Sequence, residues 1–153
     1  MGRLTPPEIP AGSLVGIDTV AWIYLLERHP VHHGTAHAFF ARLEAGEVRG
    51  VISTLVLAEL LVPAYRDGDP ERAAELVRVL ERFPNLHIVG LDGAIAARAA
   101  ELRAGYGLRT PDAIHCATAI RSGCDVFLTN DAKLRSVSPE LSVCLFEEET
   151  RPA

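Results

Sequence analysis

Short apolar runs alternating with stretches of helical periodicity constrain this chain more than any other feature. Runs at residues 14–18, 48–52, 86–89 and 126–128 read as strands, with helical patterns between them, and a last strand reads at 143–146. Strands joined through helices need crossover connections, and crossovers give parallel pairs with helices laid over both faces of the sheet. The expected architecture is therefore α/β: a three-layer α/β/α sandwich around a central, mostly parallel sheet. A chain of 153 residues suffices for one such domain over residues 1–153, with an ordered core at about 13–147 and no linker for a second.

The helical segments can be bounded from their signals. Ala21, Trp22, Leu25 and Leu26 share one side of a helix from Thr19 to Glu27. A second, at 33–45, carries Ala36, Phe39, Phe40 and Leu43 and stops at Gly46. Ser53 or Thr54 caps a third reaching about Tyr65, Asp69-Pro70 opens a fourth through Arg82, and Asp92 caps a fifth from Gly93 to about Ala104. In the last, Thr110 reads as the N-cap and Pro111 as the first helical residue. Asp112 then lies in the first turn, at the positive end of the helix dipole, and the helix ends at Ser122-Gly123.

Several function classes drop out at this level. With 48% hydrophobic and 23% charged residues the body is that of a globular protein. The longest nearly uncharged stretch, residues 50–65, is interrupted by Glu59 and is short for a membrane span, and the first residues lack an apolar signal core. A cytoplasmic protein is expected, acting away from membranes. Cys116, Cys124 and Cys144 have no metal-ligand spacing and read as small core residues. His29, His32, His33 and His37 cluster in sequence but have no further ligand beside them except Glu27, and read as exposed histidines around a helix start. The net charge of −5 argues against an extended nucleic-acid-binding face, but two bound divalent cations would reduce it to −1.

Four acids stand at positions from which chemistry is built. Asp18 ends the first strand and Asp131 follows the fourth, so if these strands are neighbours where strand order reverses, both reach one crevice. Asp112 opens the last helix. Glu59 interrupts Leu55-Val-Leu-Ala and Leu60-Leu-Val, where a carboxylate is costly to bury unless something satisfies it. Taken singly, each has an ordinary reading as a cap, a first-turn acid, a turn residue or an ion-pair partner. Taken jointly, four carboxylates at one sheet edge repel and call for a hard cation, and oxygen-only ligands suit Mg²⁺ or Mn²⁺. Such ions activate water for phosphodiester cleavage.

In sequence order, Asp18 after a strand, Glu59 in Ser-Thr-Leu-Val-Leu-Ala-Glu-Leu, Asp112 in Thr-Pro-Asp-Ala-Ile-His-Cys-Ala-Thr-Ala and Asp131 in Phe-Leu-Thr-Asn-Asp resemble the PIN-domain ribonucleases. The compact length is similar to the toxin nucleases of VapC type within that family. The resemblance implies a Mg²⁺- or Mn²⁺-dependent endoribonuclease, homodimeric, acting on RNA and inhibited by a small antitoxin. It makes Asp18, Glu59, Asp112 and Asp131 the catalytic metal-site acids. Thr129 and Asn130 would shape the site, with Arg109, Lys133 and Arg135 near substrate phosphates, while His115, one turn beyond Asp112 on the same helix face, either lines the crevice or packs beside it. The sequence departs at Val56, where relatives carry a hydroxyl residue three places before the glutamate.

Two phosphotransfer rivals with the same sheet fail on their own residues. A haloacid-dehalogenase-type phosphatase needs a second Asp at position 20, which is Val, and a receiver domain needs an acceptor Asp after strand three, where Val89-Gly90-Leu91 stands. The alternative is a non-catalytic PIN-like module that binds RNA or protein, for which retaining all four acids would serve no purpose.

Overall fold

Side-chain alternation along β1 (Leu14–Ile17) sets the layering. Val15 and Ile17 face one side and join a core with Trp22, Phe39, Phe40 and Leu43, while Gly16 faces the other. The neighbouring strand β4 (Val126–Thr129) alternates in the same sense: Val126 and Leu128 enter the first core, and Phe127 enters a second, with Ala99, Leu102, Cys116 and Leu134. Both faces are thus covered, as a parallel sheet requires. The computed structural model describes residues 4–146, so the acidic run beginning at Glu147 lies outside the described residues.

The remaining strands are β2 (Arg49–Ser53), β3 (Leu86–Val89) and β5 (Val143–Leu145). The sheet order is β3-β2-β1-β4-β5 and all four pairings are parallel. The strand order therefore reverses between β1 and β4, the two strands that end in Asp18 and lead to Asp131. Their register, with Ile17 opposite Leu128, brings Asp18 beside Thr129 at the same carboxyl edge. The expected three-layer sandwich is found, and the sheet is parallel throughout.

The helices are α1 (Thr19–Leu26), α2 (His33–Glu44), α3 (Thr54–Leu60), α4 (Val62–Arg66), α5 (Pro70–Glu81), α6 (Gly93–Tyr106) and α7 (Thr110–Arg121). Helices α6 and α7 pack on each other and cover the Gly16 face. Asp69 and Asp92 cap α5 and α6 through their side chains, as expected, and Ser53 rather than Thr54 caps α3. The single helix expected from 54 to 65 is instead two. Pro63 has no N–H to donate to residue 59, and the chain breaks at Leu61 into α3 and α4. Helix α7 also begins one residue early: Arg109 is extended and is the N-cap, and Thr110 is its first residue.

The histidine cluster departs from expectation as well. His32 is buried rather than exposed, with its ring against Tyr24, His29 and Phe146. Cys116 and Cys144 are buried and Cys124 half-buried. Among the described residues, no helix is long and apolar enough to cross a membrane.

Candidate active site

Asp18 is held from two sides at the topological switch point. Its main-chain N–H donates to Leu128 O of β4 at 2.9 Å. As N-cap of α1 its Oδ1 accepts from the Thr19 N–H at 2.7 Å, and its Oδ2 accepts from the Thr129 hydroxyl at 2.7 Å. The cap and the site acid are one residue, so the two readings of Asp18 do not compete. Burial pushes the Asp18 carboxyl above the usual range; the Asp112 charge adds to this, while His115 and the bonds from Thr129 and Thr19 oppose it.

Glu59 projects from α3 toward α1 and α7. Its Oε1 accepts from the Thr19 hydroxyl at 2.9 Å and lies 2.5 Å from His115 Nε2. Those contacts answer the question that an acid in an apolar run poses, and the His115 hydrogen bond holds the Glu59 carboxyl below its ordinary value despite partial burial. Val56, which departs from the family pattern, is fully buried, and the hydrogen bonds to Glu59 come from other elements. His115 is itself only 4% exposed, and its Nδ1 has no hydrogen-bond partner among the described residues. A buried N–H without an acceptor is costly, so the proton belongs on Nε2, which donates to Glu59.

Asp112, in the first turn of α7, accepts from Arg109 Nε at 3.2 Å, with the Arg109 side chain 80% exposed. Asp131 caps a 3₁₀ turn, Ala132–Val137, by accepting from the Lys133 N–H at 3.0 Å. Its own N–H donates to the Thr129 hydroxyl at 3.2 Å, and the Asn130 carboxamide donates to the Tyr24 hydroxyl at 2.8 Å.

All four acids line one open crevice of about 530 Å³. Thr129, Asn130 and Arg109 share its wall, as do Thr19 and Tyr24, which the sequence did not single out. Thr19 joins two acids, with its N–H on Asp18 and its hydroxyl on Glu59. Its adjacency to Asp18 was visible in sequence, but the bond to Glu59 crosses 40 positions. His115 stands behind Glu59 rather than on the wall. Lys133 lines an adjoining cavity, and Arg135 lines neither.

The donor set suits a hard divalent cation: the four acids bring carboxylate oxygens to the crevice with no Cys or His among its lining residues, and Asp18 bears a desolvation burden that a nearby positive charge would relieve. As the side chains stand, no three Asp, Glu, His or Cys residues among the described residues converge closely enough to be a finished metal cage.

The sequence model of the PIN domain family matches residues 15–139. No curated protein matches the chain. Solved structures with the same fold include VapBC2 from Rickettsia felis bound to a DNA fragment from its promoter, with 19% identity, a TM-score of 0.69, and 88% of this chain and 99% of that one covered. A toxin–antitoxin complex from Klebsiella pneumoniae has 24% identity and a TM-score of 0.62 over 90% of this chain and 99% of that one. VapC20 of Mycobacterium tuberculosis, a Sarcin-Ricin loop cleaving toxin, has 20% identity and a TM-score of 0.64 over 92% and 100%.

Proposed function

Because the chain belongs to the PIN-domain family, we propose that it is a Mg²⁺- or Mn²⁺-dependent endoribonuclease, the toxin of a toxin–antitoxin pair. The observation that carries this reading is the meeting of Asp18, Glu59, Asp112 and Asp131 on one crevice at the switch point of a parallel sheet. Its solved neighbours include a Sarcin-Ricin loop cleaving toxin and a toxin–antitoxin complex, which supports the same assignment.

In this mechanism Asp18, Glu59 and Asp112 would hold one divalent ion, directly or through water, and Asp131 would hold or orient a second ion or a hydrated shell. The bound ion would supply charge for the scissile phosphate and a water of lowered pKa. The protein's part is preorganisation. Thr19 and Thr129 fix both oxygens of Asp18, while Thr19 and His115 both bind Oε1 of Glu59. That leaves Oε2 of Glu59 as the oxygen for the crevice. Arg109, at the rim, would pair with a substrate phosphate once the ion takes up the charge of Asp112.

An antitoxin would find a seat beside the crevice, across Ile23, which lines both. An apolar groove of about 390 Å³ runs between α1 and α3–α5, lined by Ile23, Leu26, Leu60, Ala64 and Leu76. Val62 and Tyr65 are exposed on α4 at its side, a surface that would also serve a homodimer. The protein would act in the cytoplasm.

The test is incubation of a mixed RNA pool with Mg²⁺, Mn²⁺ or EDTA. Cleavage should require the ion and vanish in Asp112→Asn while the fold survives. Full activity in that variant would overturn the assignment. A PIN-like module that only binds would retain RNA uncut under every condition.

A further inference from the structure

A second cavity of about 580 Å³ adjoins the crevice and shares Arg109, Asp112 and Asp131 with it. Its other walls have a different character. Tyr106, at the end of α6, packs on the second core with part of its side chain exposed toward this space, and Leu108 and Leu134 form a buried apolar floor. Lys133 joins Arg109 as a second cation among the lining residues. Gly107 connects α6 to the following segment in the left-handed conformation, φ 68°, and a Cβ there would meet no atom within 4 Å, so the wall stays open beside Tyr106.

Aromatic ring, apolar floor and flanking cations together match one unit of a single-stranded nucleic acid: a base to stack and a phosphate to pair. The volume lies within the roughly 300–1,000 Å³ of small-ligand sites. The shared wall fixes how such a unit would be connected. A strand whose scissile phosphate lies at Asp18, Asp112 and Asp131 passes Arg109 on leaving the crevice and meets Tyr106 next.

We propose that this second cavity is a nucleotide subsite, in which Tyr106 stacks the base adjacent to the cleaved bond and Lys133 with Arg109 takes the neighbouring phosphate. The subsite rests on the nuclease reading for its register but not for its chemistry. The carboxylates of Asp112 and Asp131 on the common wall keep the phosphate toward the cations. Selection of the base next to the cut then comes from a cavity that contains none of Asp18, Glu59 or His115.

The test separates the two readings. A fluorescent pool of random octaribonucleotides is titrated by anisotropy with Ca²⁺ in place of Mg²⁺, and the RNA is checked to be intact. Tyr106→Ala should weaken binding at least about fivefold, the lower end of base–aromatic stacking, and Tyr106→Phe should stay within about twofold of the wild type. Lys133→Ala should weaken binding and lower the salt dependence by about 0.7 in logarithmic slope. Cut positions in the same pool with Mn²⁺ should lose their preference at one neighbouring base in Tyr106→Ala. Wild-type affinity and an unchanged cut pattern in Tyr106→Ala would overturn the subsite while leaving the nuclease intact. Weakened binding by Tyr106→Ala with no metal-dependent cutting by the wild type would overturn the nuclease and leave an RNA-binding cavity.

Discussion

The Nε2 of His115 on α7 lies 2.5 Å from Oε1 of Glu59 on α3, which ties together two elements that the chain separates by 56 positions. The His115 end of the bond is shut off from solvent at 3% side-chain exposure, while the Glu59 side chain, 40% exposed, reaches the open crevice. His115→Ala would leave Glu59 with the Thr19 hydroxyl alone and open a hole behind the crevice. The expected outcome is a stability loss of about 1–3 kcal/mol by urea denaturation. Cleavage should fall about 10- to 100-fold, the range seen when a metal ligand loses its outer support. The loss should fall on kcat more than on KM, and His115→Gln should restore part of it.

Asp18 and Glu59 respond to pH in opposite senses in the metal-free protein. Burial raises the folded-state pKa of Asp18, so its charge costs stability at neutral pH, and that cost disappears as pH falls through the raised value. Asp18→Asn in EDTA should melt higher than the wild type at pH 7, with the gap closing toward pH 4, and should lose cleavage when the ion is restored. The hydrogen bond from His115 lowers the pKa of Glu59, so its contribution is present above the unfolded value and lost as pH falls through the folded one. Glu59→Gln should therefore melt lower at pH 7 and approach the wild type in acid. Thermal melts of the three proteins across this range decide both signs.

The legible part of this protein was whatever local pattern controls. Strand ends after apolar runs put Asp18 and Asp131 at one edge because a parallel sheet buried on both faces leaves few other arrangements. What was not legible depends on contacts between distant segments. Apolar spacing continues across Leu61, so one helix was expected where Pro63 imposes two. His32 reads as a surface residue until Phe146, 114 positions on, covers it. The second bond of Thr19 and the place of Tyr24 on the crevice wall likewise follow from how α1 meets α3 and β4, which no local signal announces.

The three thiols should be inert in the folded protein. Burial raises each, with the Asp18 and Asp112 charges adding to it at Cys116, Asp125 at Cys124 and Glu8 at Cys144, and each is pushed up to about 12. Since the thiolate is the nucleophile, a rise of this size lowers its population about a thousandfold. Iodoacetamide at pH 8 should label all three cysteines quickly in urea and none of them on the same timescale under native conditions, as read by mass spectrometry.

Gly16 sets how closely α7 approaches β1. An added Cβ would lie 2.8 Å from Ala119 Cβ and 2.9 Å from Phe127 Cδ1, closer than carbon atoms pack. Neither neighbour yields easily, because the Ala119 Cβ is fixed to the α7 backbone and the Phe127 ring is 1% exposed in the second core. Gly16→Ala should lose about 1–3 kcal/mol in urea denaturation, the usual cost of forcing volume into a packed interior. The same helix carries Asp112 and His115, so an outward shift of α7 would draw both away from Asp18 and Glu59, and cleavage should fall further than stability alone explains. Ala119→Gly removes the clashing methyl. The double variant should thus be more stable than the sum of the single changes predicts, and strict additivity would show that α7 does not bear on Gly16.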